Sequence, residues 1–358
     1  MAKKKKPVIK RAPTAGELAK WQKQRRRQHR TFIFGVLVIL AVITLLGYGY
    51  YDQVYQPHHA EADKLHKTVV QVNKKKFSVE YVIDVMRFLN KQQSSSTTSS
   101  TTTPTKTYTL DDAVQLIEYD ELLQQAAPGL GISVSEEDLV TKLKSLTLPS
   151  NAPEDLSEAQ YLKYYGALLK TYHISDQEFR NLVTADLIRP KLQEYLKAQV
   201  PKSAEQVHVQ GMLVEKSTVT DVTDRLVFTG DSLATVANEL SLYTASQGNG
   251  GDLGWVVKGV AGTKFDEAIF NLEPGVLSQP IDDETGQSTG GVWLVSVLEK
   301  QPDRTLDDTQ IQNLANVAYG NWFEQQLKNG LDSGQVVNKL DDTTRTWATE
   351  YMANHPIT

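Results

Sequence analysis

The chain contains no cysteine, which removes disulfides, thiolate nucleophiles and Cys-type zinc sites together and leaves stability to packing alone. Positive charge is scarce outside one short segment. Residues 1–30 hold twelve Lys or Arg against Glu17 alone, a net +11, so the rest of the chain carries −16 of the formal total of −5. An acidic body repels phosphate, and nucleic acid is excluded as its partner. No phosphate-binding loop and no Ser/His/Asp constellation is recognisable.

Charge is missing altogether from Thr31 to Tyr51, TFIFGVLVILAVITLLGYGYY, 21 residues that at roughly 1.5 Å each cover a hydrocarbon core of about 30 Å. This predicts a transmembrane helix. The Lys/Arg cluster places residues 1–30 in the cytoplasm as a basic tail, Tyr48, Tyr50 and Tyr51 suit the far interface, and everything after Asp52 lies outside. A cleaved signal peptide has an apolar run of about 7 to 15 residues ending at small side chains; this run is longer and ends in tyrosines, which favours a retained anchor.

Length and a hydrophobic content of 40% allow two domains beyond the membrane. After a juxtamembrane stalk at 52–66, residues 67–200 read as a helical module. Thr68–Asn73 is a short Val-rich run, and Ser78 caps a helix reaching Leu89. The Ser/Thr-rich run 94–105 reads as a flexible insert, because it has too little apolar surface to offset the entropy of ordering. Thr109 with Asp112, Ser135 with Asp138 and Ser175 with Glu178 announce three more helices, the last bent or restarted by Pro190. Pro201 ends this region.

A strand at Gln206–Val214 opens a second domain over 206–300, with a helix at Gly230–Ser241, a Gly-rich loop at Ser246–Gly251, a helix at Phe265–Leu272 and a closing strand at Gly291–Leu298. Beyond Pro302, an amphipathic helix carries Ile311, Leu314, Ala318, Trp322 and Leu327, and the last stretch, with Trp347, reads as peripheral. The fold class is α+β.

Four motifs in the second domain stand in one order: the 206–214 strand, GDSLATVANELS, GGDLGW followed by FDEAIFNLEPGVLSQPI, and the GVWLVSVL strand. Together they resemble the parvulin, or PpiC-type, peptidyl-prolyl isomerases. The anchor, helical module and trailing helix are similar to the arrangement of the SurA, PrsA and PpiD type of extracytoplasmic foldase. That resemblance implies a SurA-like chaperone module in which the C-terminal segment 301–358 packs on the helices of 67–200. The partners it implies are unfolded or newly exported polypeptides with Pro-containing segments, and no cofactor or metal is called for.

Rotation about an X-Pro bond crosses a barrier of roughly 18 to 20 kcal/mol. Its catalyst needs no nucleophile, only an apolar pocket that grips the ring, excludes water and favours the twisted amide. Placed on the family pattern, Leu253 and Phe265 fall on the apolar positions and Ala261 where a methionine would stand. The polar set departs: the two histidine positions fall on Gly211 and Trp293, and the acid or thiol position falls near Tyr243, so the catalytic groups stay unassigned. His208 lies three residues from Gly211 and points to the opposite strand face. Two readings stay open. In one, Trp293 and Tyr243 form an aromatic wall that stacks on proline, and Leu253, Ala261, Phe265 and Trp293 bind substrate. In the other, Trp293 fills the vacancy left by Gly211 as core, and the domain only holds peptides. The triplet Asp282, Asp283 and Glu284 reads as a solvated turn, and the pair His58 and His59 as incidental.

Overall fold

The computed structural model describes residues 42–48, 50, 56–96, 107–149, 151–153, 156–284, 286 and 288–356. The basic tail, most of the Thr31–Tyr51 run and residues 97–105 of the Ser/Thr insert lie outside them. Within the apolar run, residues 42–48 and 50 are helical, and Leu45 and Leu46 are 71% and 69% exposed. Among the described residues, no helix is long and apolar enough to cross a membrane.

In chain order the labelled elements are α1 (Gln56–Leu65), β1 (Thr68–Val72), β2 (Lys75–Ser78), α2 (Val79–Ser96), α3 (Leu110–Ala126), α4 (Glu136–Thr147), α5 (Glu158–Tyr172), α6 (Asp176–Lys197), β3 (Ser203–Glu215), α7 (Val219–Asp224), α8 (Leu233–Leu240), β4 (Asp252–Val257), α9 (Thr263–Asn271), β5 (Ile281–Asp282), β6 (Gly291–Thr305), α10 (Asp308–Asp332), β7 (Val336–Asn338) and α11 (Asp342–Asn354). The class is mixed α+β. Contacts divide the chain into two units, residues 1–67 with 78–80 and residues 68–77 with 81–358. In the first, Val79 N–H donates to the Lys67 carbonyl, and His66 Nδ1 lies 3.4 Å from Glu80 Oε2.

The second unit holds the strands of both sheets apart from Ser78, and every labelled helix except α1 and the first two residues of α2. Helix starts follow their caps. The Thr109 hydroxyl accepts from Asp112 N–H while Asp112 Oδ2 accepts from Thr109 N–H, and Ser175 and Glu178 make the same reciprocal pair at α6. A third capping box, Ser157 with Gln160, starts α5, a helix absent from the sequence reading because it buries only Tyr161 and Tyr165. Two more expectations are corrected. Pro190 does not restart α6, which runs unbroken from Asp176 to Lys197 with the proline inside it. The first three residues of the presumed insert, 94–96, belong to α2.

The C-terminal segment is not peripheral. β7 pairs antiparallel with β1, Val72 opposite Val336, in a sheet of order β2-β1-β7. Phe323 of α10 shares one apolar cluster with Leu123 of α3 and with Ile188 and Leu192 of α6, and Arg345 of α11 grips both carboxylate oxygens of Asp111 at 2.9 and 3.2 Å. In the second sheet, of order β4-β3-β6-β5, the β3–β6 ladder runs from Ser203 opposite Thr305 to Glu215 opposite Gly291. β6 therefore passes through Pro302 instead of stopping before it. The pairing shifts between Ala204 and Gln206, so Pro302 sits where the ladder asks no N–H of it.

α3 also buries three carboxyl groups, Glu118, Asp120 and Glu121, and two of them have an oxygen without a partner. Glu118 Oε1 has no hydrogen-bond partner, and Asp120 pairs with Arg189 through one oxygen while the other has none. Burial pushes Glu118 up to about 7, and pushes Asp120 to about 7 against the pull of Arg189. Between about pH 4.5 and 7 the folded chain therefore keeps protons that the unfolded chain has released, so stability falls as pH rises through this window and levels off above it. Glu118→Gln is expected to raise unfolding stability by about 1 to 3 kcal/mol at pH 8, with most of that gain gone at pH 5. Urea titrations at the two pH values check this; an equal gain at both would show that Glu118 does not titrate in the window.

Candidate functional site

Strand parity builds the site. Val207, Val209, Gly211 and Leu213 of β3 take one face, and Trp293, Val295 and Val297 of β6 join them, with Gly211 opposite Val295 and Leu213 opposite Trp293. α9 covers this face with Phe265, Ile269 and Phe270, and Tyr243, Leu253 and Ala261 pack against the same cluster. The opposite face carries Met212, Val214, Val292 and Leu294 under α7 and α8. The structure thus brings Tyr243, Leu253, Ala261, Phe265 and Trp293 together on the strand face that also bears Gly211.

The arrangement is filled. Trp293 is 5% exposed and meets Phe265 edge to face at 5.6 Å and Tyr243 likewise at 5.3 Å. Its indole N–H donates to Asp283 Oδ1 at 3.2 Å, and Asp283 Oδ2 accepts from Ser288 N–H at 2.9 Å. The apolar floor is covered by a side chain of the same domain. That side chain does not occupy a vacancy over Gly211, as one reading of the sequence had it. A Cβ on Gly211 would meet Val295 Cγ1 at 2.6 Å and the Leu294 carbonyl oxygen at 3.0 Å, so Val295 already closes that space.

Two glycines of the GGDLGW motif have different reasons. Gly251, at φ 77°, accepts from Gly211 N–H at 2.8 Å, and a Cβ there would stand 2.5 Å from the Gly211 carbonyl oxygen and 2.8 Å from Ala237 Cβ. Gly254 also needs φ 75°, but a Cβ there would meet open space. Its N–H donates to Asp252 Oδ1 at 2.7 Å, which together with His208 holds the Asp252 carboxyl below its usual range.

His208 stands between Val207 and Val209 in sequence and turns to the other face, where it stacks on Trp255 at 5.3 Å with Nε2 2.9 Å from Asp252 Oδ1. It contributes nothing to the Trp293 face. The acidic triplet is more than a solvated turn. Lys264 Nζ lies 3.4 Å from Asp282 and 3.5 Å from Glu284, and Asp283 is turned inward onto Trp293. Asp283 is the residue that sequence reading missed. The available signal was alternation: two positions past the buried Ile281, it returns to the same face. An open cleft of about 450 Å³ runs along α9 and β5, lined by Lys264, Ala268, Leu272, Pro280 and Ile281 among others, and none of the five clustered site residues lines it.

Residues 214–297 match the family described as PPIC-type PPIASE domain, and residues 22–193 match the SurA-like N-terminal domain. The foldase protein PrsA of Halalkalibacterium halodurans is 30% identical over 138 residues, 38% of this chain and 39% of that protein, so this chain spans about two-fifths of that relative's length. PrsA of Geobacillus kaustophilus is 23% identical over 240 residues, 63% of this chain and 79% of that one. The crystal structure of the peptidylprolyl isomerase PrsA from Bacillus anthracis aligns with 63% of this chain and 98% of its own at 19% identity and a TM-score of 0.39.

The two glycines separate a steric requirement from a conformational one. Gly254→Ala is expected to cost about 1 to 2 kcal/mol for its left-handed backbone alone. Gly251→Ala adds a clash with backbone and is expected to cost at least about 3 kcal/mol or to unfold the domain. Urea unfolding followed by near-ultraviolet circular dichroism measures both, and equal costs would contradict the close approach of Gly251 to Gly211.

Proposed function

We propose, from the premise that this chain carries a PPIC-type PPIase domain and a SurA-like N-terminal domain, that it is a membrane-anchored extracytoplasmic foldase which binds unfolded, Pro-containing polypeptides and turns X-Pro bonds. The observation that carries the reading is the meeting of Leu253, Ala261, Phe265, Tyr243 and Trp293 on one sheet face of the PPIC-type domain. With Gly211 and Trp293 at the histidine positions, turnover rests on enclosure alone. An apolar, water-free contact favours a twisted amide over its planar, better solvated forms, and each 1.36 kcal/mol of that preference is worth about tenfold in rate. The helical module holds the rest of the client through apolar contacts.

A second reading, client holding without turnover, is favoured by one observation, the burial of Trp293 over the apolar floor. A protease-coupled assay with a Pro-containing tetrapeptide separates the two, run on the full chain in detergent beside a light-scattering assay of a heat-denatured enzyme. The expected result is a rate above buffer together with suppressed scattering. A buffer rate with suppressed scattering would leave only the holding role.

The placement in the membrane rests on the uncharged Thr31–Tyr51 run and the twelve cations before it. The absence of cysteine makes its test clean. In intact host cells a membrane-impermeant maleimide is expected to label Asp303→Cys and to leave Lys5→Cys unlabelled until the cells are broken; the reverse pattern would overturn the orientation.

A further inference from the structure

We infer that Trp293 is the residue that limits turnover in this domain, a resident occupant of the proline slot, and that Asp283 is the positioning residue that keeps it there. The inference rests on the reading of the domain as one that engages proline.

Three observations lead to it. Trp293 is buried, at 5% exposure, on the face that gathers Leu253, Ala261 and Phe265, and it is clasped between the rings of Phe265 and Tyr243. An entering pyrrolidine ring requires the apolar surface that this indole covers. Its one polar atom is held by Asp283, which lies outside the apolar cluster and is itself tied to the backbone of Ser288. The acceptor is therefore supplied by the segment following β5, not by the strand that carries the tryptophan.

A binding-competent state populated only to a fraction f weakens the apparent affinity for substrate by that same fraction. The hydrogen bond from the indole favours the closed arrangement, because swinging the ring away leaves Asp283 without that donor. Removing the acceptor raises f without touching Leu253, Ala261 or Phe265. Removing the indole sets f to one. Both changes raise kcat/KM, and a gain of activity does not arise from a damaged fold.

The test measures kcat/KM of the full chain in detergent with a Pro-containing tetrapeptide, for wild type, Trp293→Ala, Asp283→Ala and Asp283→Asn. Trp293→Ala is expected to gain at least about tenfold and Asp283→Ala about threefold to tenfold, the scale of one ordinary hydrogen bond, since the 3.2 Å contact is long for a charged acceptor. Asp283→Asn retains an acceptor oxygen and is expected to return the rate toward wild type. On addition of the peptide, tryptophan emission should shift to the red in wild type and not in Trp293→Phe. Trp293→Ala at or below the wild-type rate, while still unfolding cooperatively, would overturn the inference. If that variant does not fold, equal rates for Asp283→Ala and Asp283→Asn would overturn it instead. Wild type at the buffer rate with Trp293→Ala active sinks turnover by the native chain and keeps the assignment of Trp293. Wild type active with Trp293→Ala no faster does the opposite, and both at the buffer rate sinks both.

Discussion

The antiparallel ladder between β3 and β6 is the constraint on which the rest of the second domain depends. Side chains alternate along it, so a slip of one residue would send Val207, Val209 and Leu213 to the wrong face and bring Met212 and Val214 in their place. At one end the ladder sets Leu213 opposite Trp293 and so builds the candidate slot. At the other end it carries Gln206, fully buried, whose amide donates to the Arg304 carbonyl at 2.9 Å and whose oxygen accepts from Arg304 and from Gln310 of α10, both at 2.9 Å. A buried amide left unsatisfied is costly, so this set of bonds holds both register and connection.

The same ladder explains how a domain can be placed in the middle of a helical unit. The chain leaves α6 into β3 and returns from β6 into α10, and the two strands are paired from their first residues, with Leu306 N–H donating to the Lys202 carbonyl at 2.9 Å just beyond them. Entry and exit lie side by side. The helices on either side in sequence can then pack as though uninterrupted, as Leu123, Ile188, Leu192 and Phe323 do, while β7 closes on β1. The coding order of the chain is interrupted, but its apolar cluster is continuous.

What the sequence made legible follows physical range. Local signals were clear: the reciprocal Thr109–Asp112 and Ser175–Glu178 caps were readable because both partners lie within one turn. Elements with a thin apolar stripe were not, and α5, which buries two tyrosines, passed unseen although Ser157 and Gln160 spelled the same cap. Proline read as a break in an element misled twice, as a restart at Pro190 and as the limit of a strand at Pro302. Pro190 sits inside a helix held on several sides, and Pro302 sits at a bulge, so in both cases tertiary packing overrode a local preference. In the site, the family resemblance pointed to the five residues that the structure gathers on one face. Asp283 and the closure of Val295 over Gly211 were hidden, because each depends on which residue stands across the sheet, and that register is long-range information.

Gly211 and Trp293 decide what kind of surface this sheet face offers. An open pocket on such a face would leave part of the core unpacked, which weakens it. Glycine lets Val295 close against the β3 backbone, and an indole fills the adjoining space with ring contacts, so the face becomes ordinary packed interior. The gain in packing and the loss of an open slot are one event, because the same atoms do both. Proline engagement is then a competition between a resident ring and an incoming one for the same apolar contacts. The side that wins is set by the only polar bond on the resident ring, which links a chemical question about the slot to the conformation of the segment that holds Asp283.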